Sequence, residues 1–368
     1  MRDPKVFLLV ERLASLSYEI GPIRPPSEGR SHSLLLRITR NCPWRLCAFC
    51  YGTPYQRRKF ELRLVKEVKT DLDHAKAMAD LLTELSYRLG YGGRMNEALL
   101  RDLLQIDPTL LYHESFLNLY GWLSMGGKTV FIQDADSLII PTRNLAEILR
   151  HLKTLFPGVE RITSYARAKT LKMKSLEDLK LLRSLGLKRL HVGLESGDDE
   201  VLRRVNKGVT SEEHVEAGRK AIEAGMELSL YIMPGLGGLS LSKQHAENTA
   251  LVLNKINPHF VRVRTFLPLP GTPLFEAYQR GEFQLLTPHQ CLNEIRLLVE
   301  KLEITGRICF DHFINPALEN GTRIFRQDPD GYKLPEEREL LLQTIDRALA
   351  VDESKHRWLR NLIGLTHL

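Results

Sequence analysis

Thr39-Arg40-Asn41-Cys42-Pro43-Trp44-Arg45-Leu46-Cys47-Ala48-Phe49-Cys50 carries three of the five cysteines of the chain, spaced C-x4-C-x2-C. It follows an apolar run, Leu34-Leu35-Leu36-Arg37-Ile38, that reads as a β-strand. Three thiolates on a loop at a strand's end can hold three corners of an iron–sulfur cluster, whereas a closed electron-transfer cluster takes four cysteines. The corner without a protein ligand is then open, and an open position is what separates catalytic metal sites from structural ones. The plain alternatives are a zinc knuckle or three buried free thiols. Zinc asks for a fourth Cys or His close by, and no His lies between Ser33 and His74.

The 368 residues suffice for one large α/β domain or two ordinary ones. With 43% hydrophobic and 26% charged residues, a sizeable core can be buried. The net charge of +7 suits an anionic substrate or nucleic acid. No run of five basic residues occurs, and the densest patch is Arg57-Arg58-Lys59. Clustered cysteines argue for a reducing cytoplasm and a metal site, against a disulfide framework. The apolar run Val6 to Val10 is followed directly by Glu11 and is too short for a signal peptide or a membrane span. A cytoplasmic protein without membrane contact is expected.

Residues 1–30 read as an irregular, Pro-rich lead-in built round Gly21-Pro22-Ile23-Arg24-Pro25-Pro26. After the cysteine loop, apolar residues three and four apart predict a helix over 61–89, and two more helices follow, the last ending near Trp122. This makes a helical insertion over about 90–127. Then strand-like runs recur at Thr129–Ile132, Arg161–Ser164, Leu190–Leu194, Leu228–Met233 and Phe260–Phe266. Helical patterns lie between them, with start signals at Ser175 to Asp178 and Thr210 to Glu213, and stops at Gly186 and Gly225. Strand–helix repeats imply parallel strands with right-handed crossovers. Six units are too few for a complete eight-stranded barrel, so the pattern predicts an α/β fold with a partial (β/α)6 barrel over 31–275, whose working face lies at the strand C-termini. Residues 276–368 form a mostly helical extension, with helices over 287–305 and 335–351 and a short extended piece over Ile308–Asn315.

The cysteine loop, the six βα units and the phrases at the strand ends together resemble the radical S-adenosylmethionine (SAM) superfamily. The likeness covers about two thirds of the chain. The first cysteine gap is one residue longer than the usual one. This variant resembles relatives of oxygen-independent coproporphyrinogen oxidase, the methylthiotransferases and the catalytic subunit of Elongator. The resemblance implies a 4Fe–4S cluster held by Cys42, Cys47 and Cys50, with SAM on the open iron. One-electron cleavage of SAM would give a 5′-deoxyadenosyl radical that takes hydrogen from substrate. A small electron donor of the flavodoxin or ferredoxin type would supply the electron.

Site residues follow from the same resemblance, each beside a plainer role. Phe49 matches an apolar position next to the adenine, or packs the loop. Gln133 and Asp134, after Phe131-Ile132, match the turn that receives the SAM ammonium; the alternatives are plain turn chemistry or a Mg²⁺ pair of Asp134 with Asp136. Arg167 ends the third strand and could pair with a carboxylate bidentately, or form a structural ion pair. Gly193-Leu194-Glu195-Ser196 resembles the segment whose Glu accepts the ribose hydroxyls. Lys207, twelve residues on, matches a cation that meets the SAM carboxylate, or is a solvated helix end. Ile232, Met233 and Leu267 match the adenine wall, where ordinary core residues are equally expected. The turn Pro234-Gly235-Leu236-Gly237-Gly238 fits neither phosphate-loop pattern. Cys291 and Cys309 are isolated and read as packing thiols.

The sequence thus points to a radical SAM enzyme, an oxidoreductase or transferase, acting on an unidentified substrate. A small anionic metabolite is expected ahead of nucleic acid, for want of basic patches interleaved with aromatics. Arg58, Asp311, His312 and Asn315 are candidates for the substrate side. The competing readings are a non-enzymatic iron–sulfur sensor or electron carrier and, within the class, an enzyme modifying tRNA or a tetrapyrrole.

Overall fold

The computed structural model describes residues 4–28, 33–50 and 59–363. Arg58 lies outside the described residues. The chain divides into two compact units. One comprises Met1–Asn41, Phe60–Tyr165 and Lys180–Lys188; the other comprises Cys42–Lys59, Ala166–Leu179 and Arg189–Leu368.

The first unit opens with helix α1 (Pro4–Ser15). This corrects the expectation of an irregular lead-in. Val6, Val10 and Leu13 are spaced four and three apart and all are buried, which is one face of a helix. Strand β1 (Ser33–Leu36) is buried throughout. Short strands β2 (Thr39–Arg40) and β3 (Glu61–Leu62) pair antiparallel. The helix expected over 61–89 is α2 (Val65–Arg88), and α3 (Glu97–Ile106) and α4 (Glu114–Ser124) follow it. Asn96 caps α3 by accepting the Leu99 N–H at 2.9 Å, which satisfies a donor the helix itself leaves orphaned. Val68, Leu72, Met78, Leu82 and Leu85 form the buried stripe of α2. Fully burying a side chain of this size contributes roughly 1.5–3 kcal/mol. Strand β4 (Thr129–Ile132), helix α5 (Thr142–Leu155) and strand β5 (Arg161–Ala166) follow, with β1, β4 and β5 paired in parallel.

The chain then runs through α6 (Ala168–Met173), α7 (Leu176–Ser184) and β6 (Leu187–Glu195). It continues with α8 (Asp199–Arg204), α9 (Ser211–Glu223), β7 (Glu227–Ile232), α10 (Gly238–Ile256) and β8 (Phe260–Val263). Both helix-start signals are made. The Asp178 N–H donates to Ser175 Oγ at 3.0 Å, and Thr210 and Glu213 cap each other's main chain at 3.2 Å. The six apolar runs expected as strands are β1, β4, β5, β6, β7 and β8, and every pair described among them is parallel.

Beyond β8 come α11 (Pro273–Gln279), α12 (Pro288–Lys301), β9 (Arg307–Cys309), β10 (Tyr332–Lys333) and α13 (Arg338–Leu349). The extension carries more sheet than its pattern announces. β9 pairs parallel with β8, and β10 pairs antiparallel with β9. Strands of two and three residues are too short to show a period of two. Among the described residues no helix is long and apolar enough to cross a membrane.

Candidate functional site

Cys42, Cys47 and Cys50 lie on a loop of the second unit, each partly exposed. Main chain pins this loop at Ala48, whose N–H donates to Val205 O at 2.8 Å and whose C=O accepts from the Leu274 N–H at 3.0 Å. Phe49 is 9% exposed and packs with Val201, Val205, Met233, Leu236, Phe266 and Leu274; Cys47 and Cys50 rest against the same cluster. Burial raises the Cys47 pKa although Lys207 opposes it. Burial, with the Cys47 and Cys42 thiols adding to it, pushes Cys50 up to about 12. The three thiols therefore stand within electrostatic reach of one another. Among the described residues, no three His, Cys, Asp or Glu side chains close round a single ion. Zinc gathers its ligands on one metal. An iron–sulfur cluster offers each cysteine its own iron, so three separate thiols without a fourth fit that group.

Beside the loop is an ion pair. Lys207 Nζ lies 2.9 Å from Glu195 Oε1, and both side chains are 12% exposed. The ammonium also sits 5.7 Å from the centre of the Phe49 ring. Burial works against the charge on Lys207, but Glu195 and the Cys47 thiol outweigh it and hold its pKa above the ordinary lysine value. The sequence assigned Glu195 and Lys207 to opposite ends of one ligand; the structure shows them holding each other. Gly193 makes the pairing possible, because a Cβ there would lie 2.1 Å from Glu195 Oε1. Glu195 itself has φ +64, in the left-handed region, at an irregularity in the β6–β7 register. A non-glycine residue held there costs free energy, and such residues cluster at functional sites.

Arg167 is in the same unit. Its guanidinium lies 5.1 Å from the Trp44 ring and donates to Lys207 O at 3.2 Å. Trp44 Nε1 donates to Asn206 O at 2.7 Å. The Trp44 ring presses on Gly208, whose φ is +73 and where a Cβ would lie 2.3 Å from the ring. Trp44 is thus a site residue that sequence reasoning missed. Its only signal was its place in the long first cysteine gap.

At Ile232 and Met233, matched to the adenine wall, the main chain makes bonds within the protein. Ile232 O accepts the Arg264 N–H at 3.0 Å, the Met233 N–H donates to Glu195 O at 2.9 Å, and Met233 O accepts the Leu236 N–H at 3.0 Å. What Met233 offers is its side chain against Phe49. Leu267 is buried. Ser196 is fully buried with its hydroxyl 2.8 Å from His245 Nδ1, while the other ring nitrogen lies 3.1 Å from Met233 O.

Gln133 and Asp134 belong to the first unit, and there both side chains have partners within the protein. The Gln133 amide accepts the Gly21 N–H at 2.8 Å and donates to Gly21 O and Ile23 O at 2.8 and 3.0 Å. Its side chain is spent on tying down the lead-in. Asp134 Oδ2 accepts from Arg37 at 2.7 Å and from the Asn41 N–H at 3.2 Å. Asp134 thereby anchors the residue before Cys42. Burial raises its pKa against the pull of Arg37.

Of the tail candidates, Asp311 and Asn315 have partners within the protein. Asp311 is paired with the buried Arg262. Asn315 Oδ1 accepts from the Thr265 N–H and hydroxyl at 3.1 Å each, and its amide donates to Val263 O at 2.8 Å, so it braces the end of β8. His312 is half-buried and stacks on Phe313, with ring centres 4.9 Å apart. Cys291 and Cys309 are buried, as expected of packing thiols.

Residues 105–248 match the family model of the radical SAM superfamily. That segment holds Glu195 and Lys207 and begins downstream of the three cysteines. Part of the chain is similar to a tRNA uridine(34) acetyltransferase of Methanocaldococcus infernus, 27% identical over 138 residues, which is 36% of this chain and 26% of that protein. Another part is similar to the heme chaperone HemW of Bacillus subtilis, 25% identical over 181 residues, or 49% of this chain and 47% of that protein. The chain thus spans about a quarter to a half of the length of these curated relatives. A solved structure of archaeal Methanocaldococcus infernus Elp3 with an N-terminal deletion aligns over 67% of this chain and 61% of that one, at 18% identity and a TM-score of 0.44.

Proposed function

Since the chain carries a radical SAM domain, we propose that it is a radical SAM enzyme in which Cys42, Cys47 and Cys50 hold a 4Fe–4S cluster with one iron open to SAM. When bound, cluster and SAM would supply radical chemistry, through one-electron reductive cleavage of SAM, for removing a hydrogen atom from substrate. The chain's own residues bind and orient. The Ala48 hydrogen bonds hold the cysteine loop in place. Phe49, with Met233 against it, gives the adenine an apolar wall. Glu195 uses Oε2 to accept ribose hydroxyls. Lys207 has two ammonium hydrogens without an acceptor among the described residues, and these meet the methionine carboxylate. Arg167, held on the Trp44 ring, adds a second cation to that end. Within the first unit, Asp134 holds the Asn41 N–H. The substrate is a small anionic metabolite, and a flavodoxin- or ferredoxin-type protein in the cytoplasm supplies the electron.

The observation that carries this reading is the Glu195–Lys207 pair next to Phe49 and within electrostatic reach of the Cys47 thiol. The carrier or sensor reading gives this pair only a structural role. The test is anaerobic reconstitution with iron and sulfide, then dithionite and SAM, with 5′-deoxyadenosine measured by chromatography. Its formation is expected. A cluster that assembles normally but leaves SAM intact with several electron donors would sink the proposal.

A further inference from the structure

Two guanidinium groups of the second unit converge on one carbonyl. Arg323 and Arg357 each donate to Phe313 O at 2.6 Å, and Arg357 also donates to Asn315 O at 2.9 Å. Two like charges on one neutral oxygen repel, and among the described residues neither has a carboxylate partner. Burial, with Arg323 nearby, lowers the Arg357 pKa below the usual arginine value. His312, next to Phe313, is pushed down to about 3 by burial, then by Arg264 and Arg323. His312 Nδ1 accepts the Ile314 N–H at 3.4 Å, which leaves Nε2–H as its donor.

Arg264 is the third cation. It stands just past the end of β8, where its N–H meets Ile232 O, and its buried Nε has no hydrogen-bond partner among the described residues. The one carboxylate adjacent in sequence, Asp311, is taken by Arg262. Arg264 and Arg323 thus both act on His312, and Arg357 shares the Phe313 carbonyl with Arg323; among the described residues none of the three arginines has a carboxylate partner, and Arg264 stands at a strand C-terminus, the edge where α/β folds bind ligands. Arginine's planar fork matches carboxylate and phosphate oxygens.

We propose that Arg264, Arg323 and Arg357, with His312, form a binding site for an oxyanion, a carboxylate or phosphate group. Its use as the anchor of the enzyme's substrate rests on the radical SAM reading; the site itself does not. The experiment takes the full chain, anaerobically reconstituted, and titrates inorganic phosphate and succinate separately at constant ionic strength, with chloride as control. Binding is read by calorimetry and by the shift in Tm. Saturable binding of either anion is expected. The anion that saturates at the lower concentration identifies the group. Losing one charged contact weakens binding roughly tenfold, so Arg323→Gln and Arg264→Gln are each expected to show that loss.

Arg323 is exposed and makes one carbonyl contact, so its replacement folds even where that of Arg264 does not. Arg280→Gln removes an equal charge from an exposed pair with Glu282 and is expected to bind as wild type. The proposal is overturned if neither anion exceeds chloride, or if folded Arg323→Gln binds as tightly as wild type. Release of 5′-deoxyadenosine is measured on the same wild-type preparation. Anion binding without SAM cleavage would then sink the enzyme reading alone, and cleavage without anion binding would sink the site alone.

Discussion

Replacing Gly193 with alanine puts a methyl group where the ion pair at the end of β6 now sits. The added Cβ would lie 2.1 Å from Glu195 Oε1 and 3.0 Å from Lys207 Nζ, against the 3.4 Å at which ordinary contact begins. The carboxylate must retreat by more than an ångström, and a 2.9 Å bond to Lys207 does not survive that shift. Both partners are largely withdrawn from water, where a hydrogen bond to a charged group is worth about 1.5–3 kcal/mol. That loss corresponds to a roughly ten- to hundredfold weakening of any ligand that depends on the pair. The assay is equilibrium dialysis of labelled SAM against reconstituted protein, with urea denaturation run in parallel. Gly158→Ala is the control, because a Cβ there meets nothing within 4 Å. Its expected change in stability is within about 0.5 kcal/mol. Gly193→Ala with wild-type SAM affinity and a denaturation midpoint equal to that of Gly158→Ala would refute the reasoning.

Acid should destabilise the fold through His214, which is 2% exposed and whose pKa burial lowers to about 3. A depressed folded-state value means that the neutral form stabilises. That stability is present above the unfolded pKa of about 6.5 and is lost as pH falls toward 3, with about 2 kcal/mol gone between pH 7 and 5. His214→Gln should flatten the pH dependence of urea midpoints by that amount, and an unchanged slope would contradict the assignment. Asn315→Ala should cost about 2–3 kcal/mol by freeing Val263 and Thr265; wild-type stability with lost activity would return Asn315 to the substrate side. Cys47→Ala should lose the brown cluster absorbance while its circular dichroism stays native, and a retained chromophore would contradict the ligand set.

Much of the fold was legible because its strands are buried runs separated by helices with marked starts. The capping pair Thr210 and Glu213 could be named from four letters of sequence, since a cap is a local contact. α1 was harder to see, because three buried residues at Val6, Val10 and Leu13 sit beside a Pro-rich segment that dominates the pattern. Glu195 and Lys207 were singled out by the phrases that contain them. Their mutual contact was not, because it depends on a left-handed residue and a register irregularity that no periodicity reports. Gln133 shows the limit of placing residues by strand ends. Position along a strand does not say whether an amide turns toward a ligand or toward Gly21. The arginines at 264, 323 and 357 are far apart in sequence, so only folding brings their charges together.

The hydrogen bonds of Ala48 also bear on timing during synthesis. Its carbonyl is held by Leu274, which emerges from the ribosome most of a chain length later. At about 5–20 residues per second, roughly 10–45 s separate the two. For that interval the nascent thiols at 42, 47 and 50 are chemically available but not yet held by this clamp. Metal loading that needs the finished loop therefore waits until Leu274 has been made.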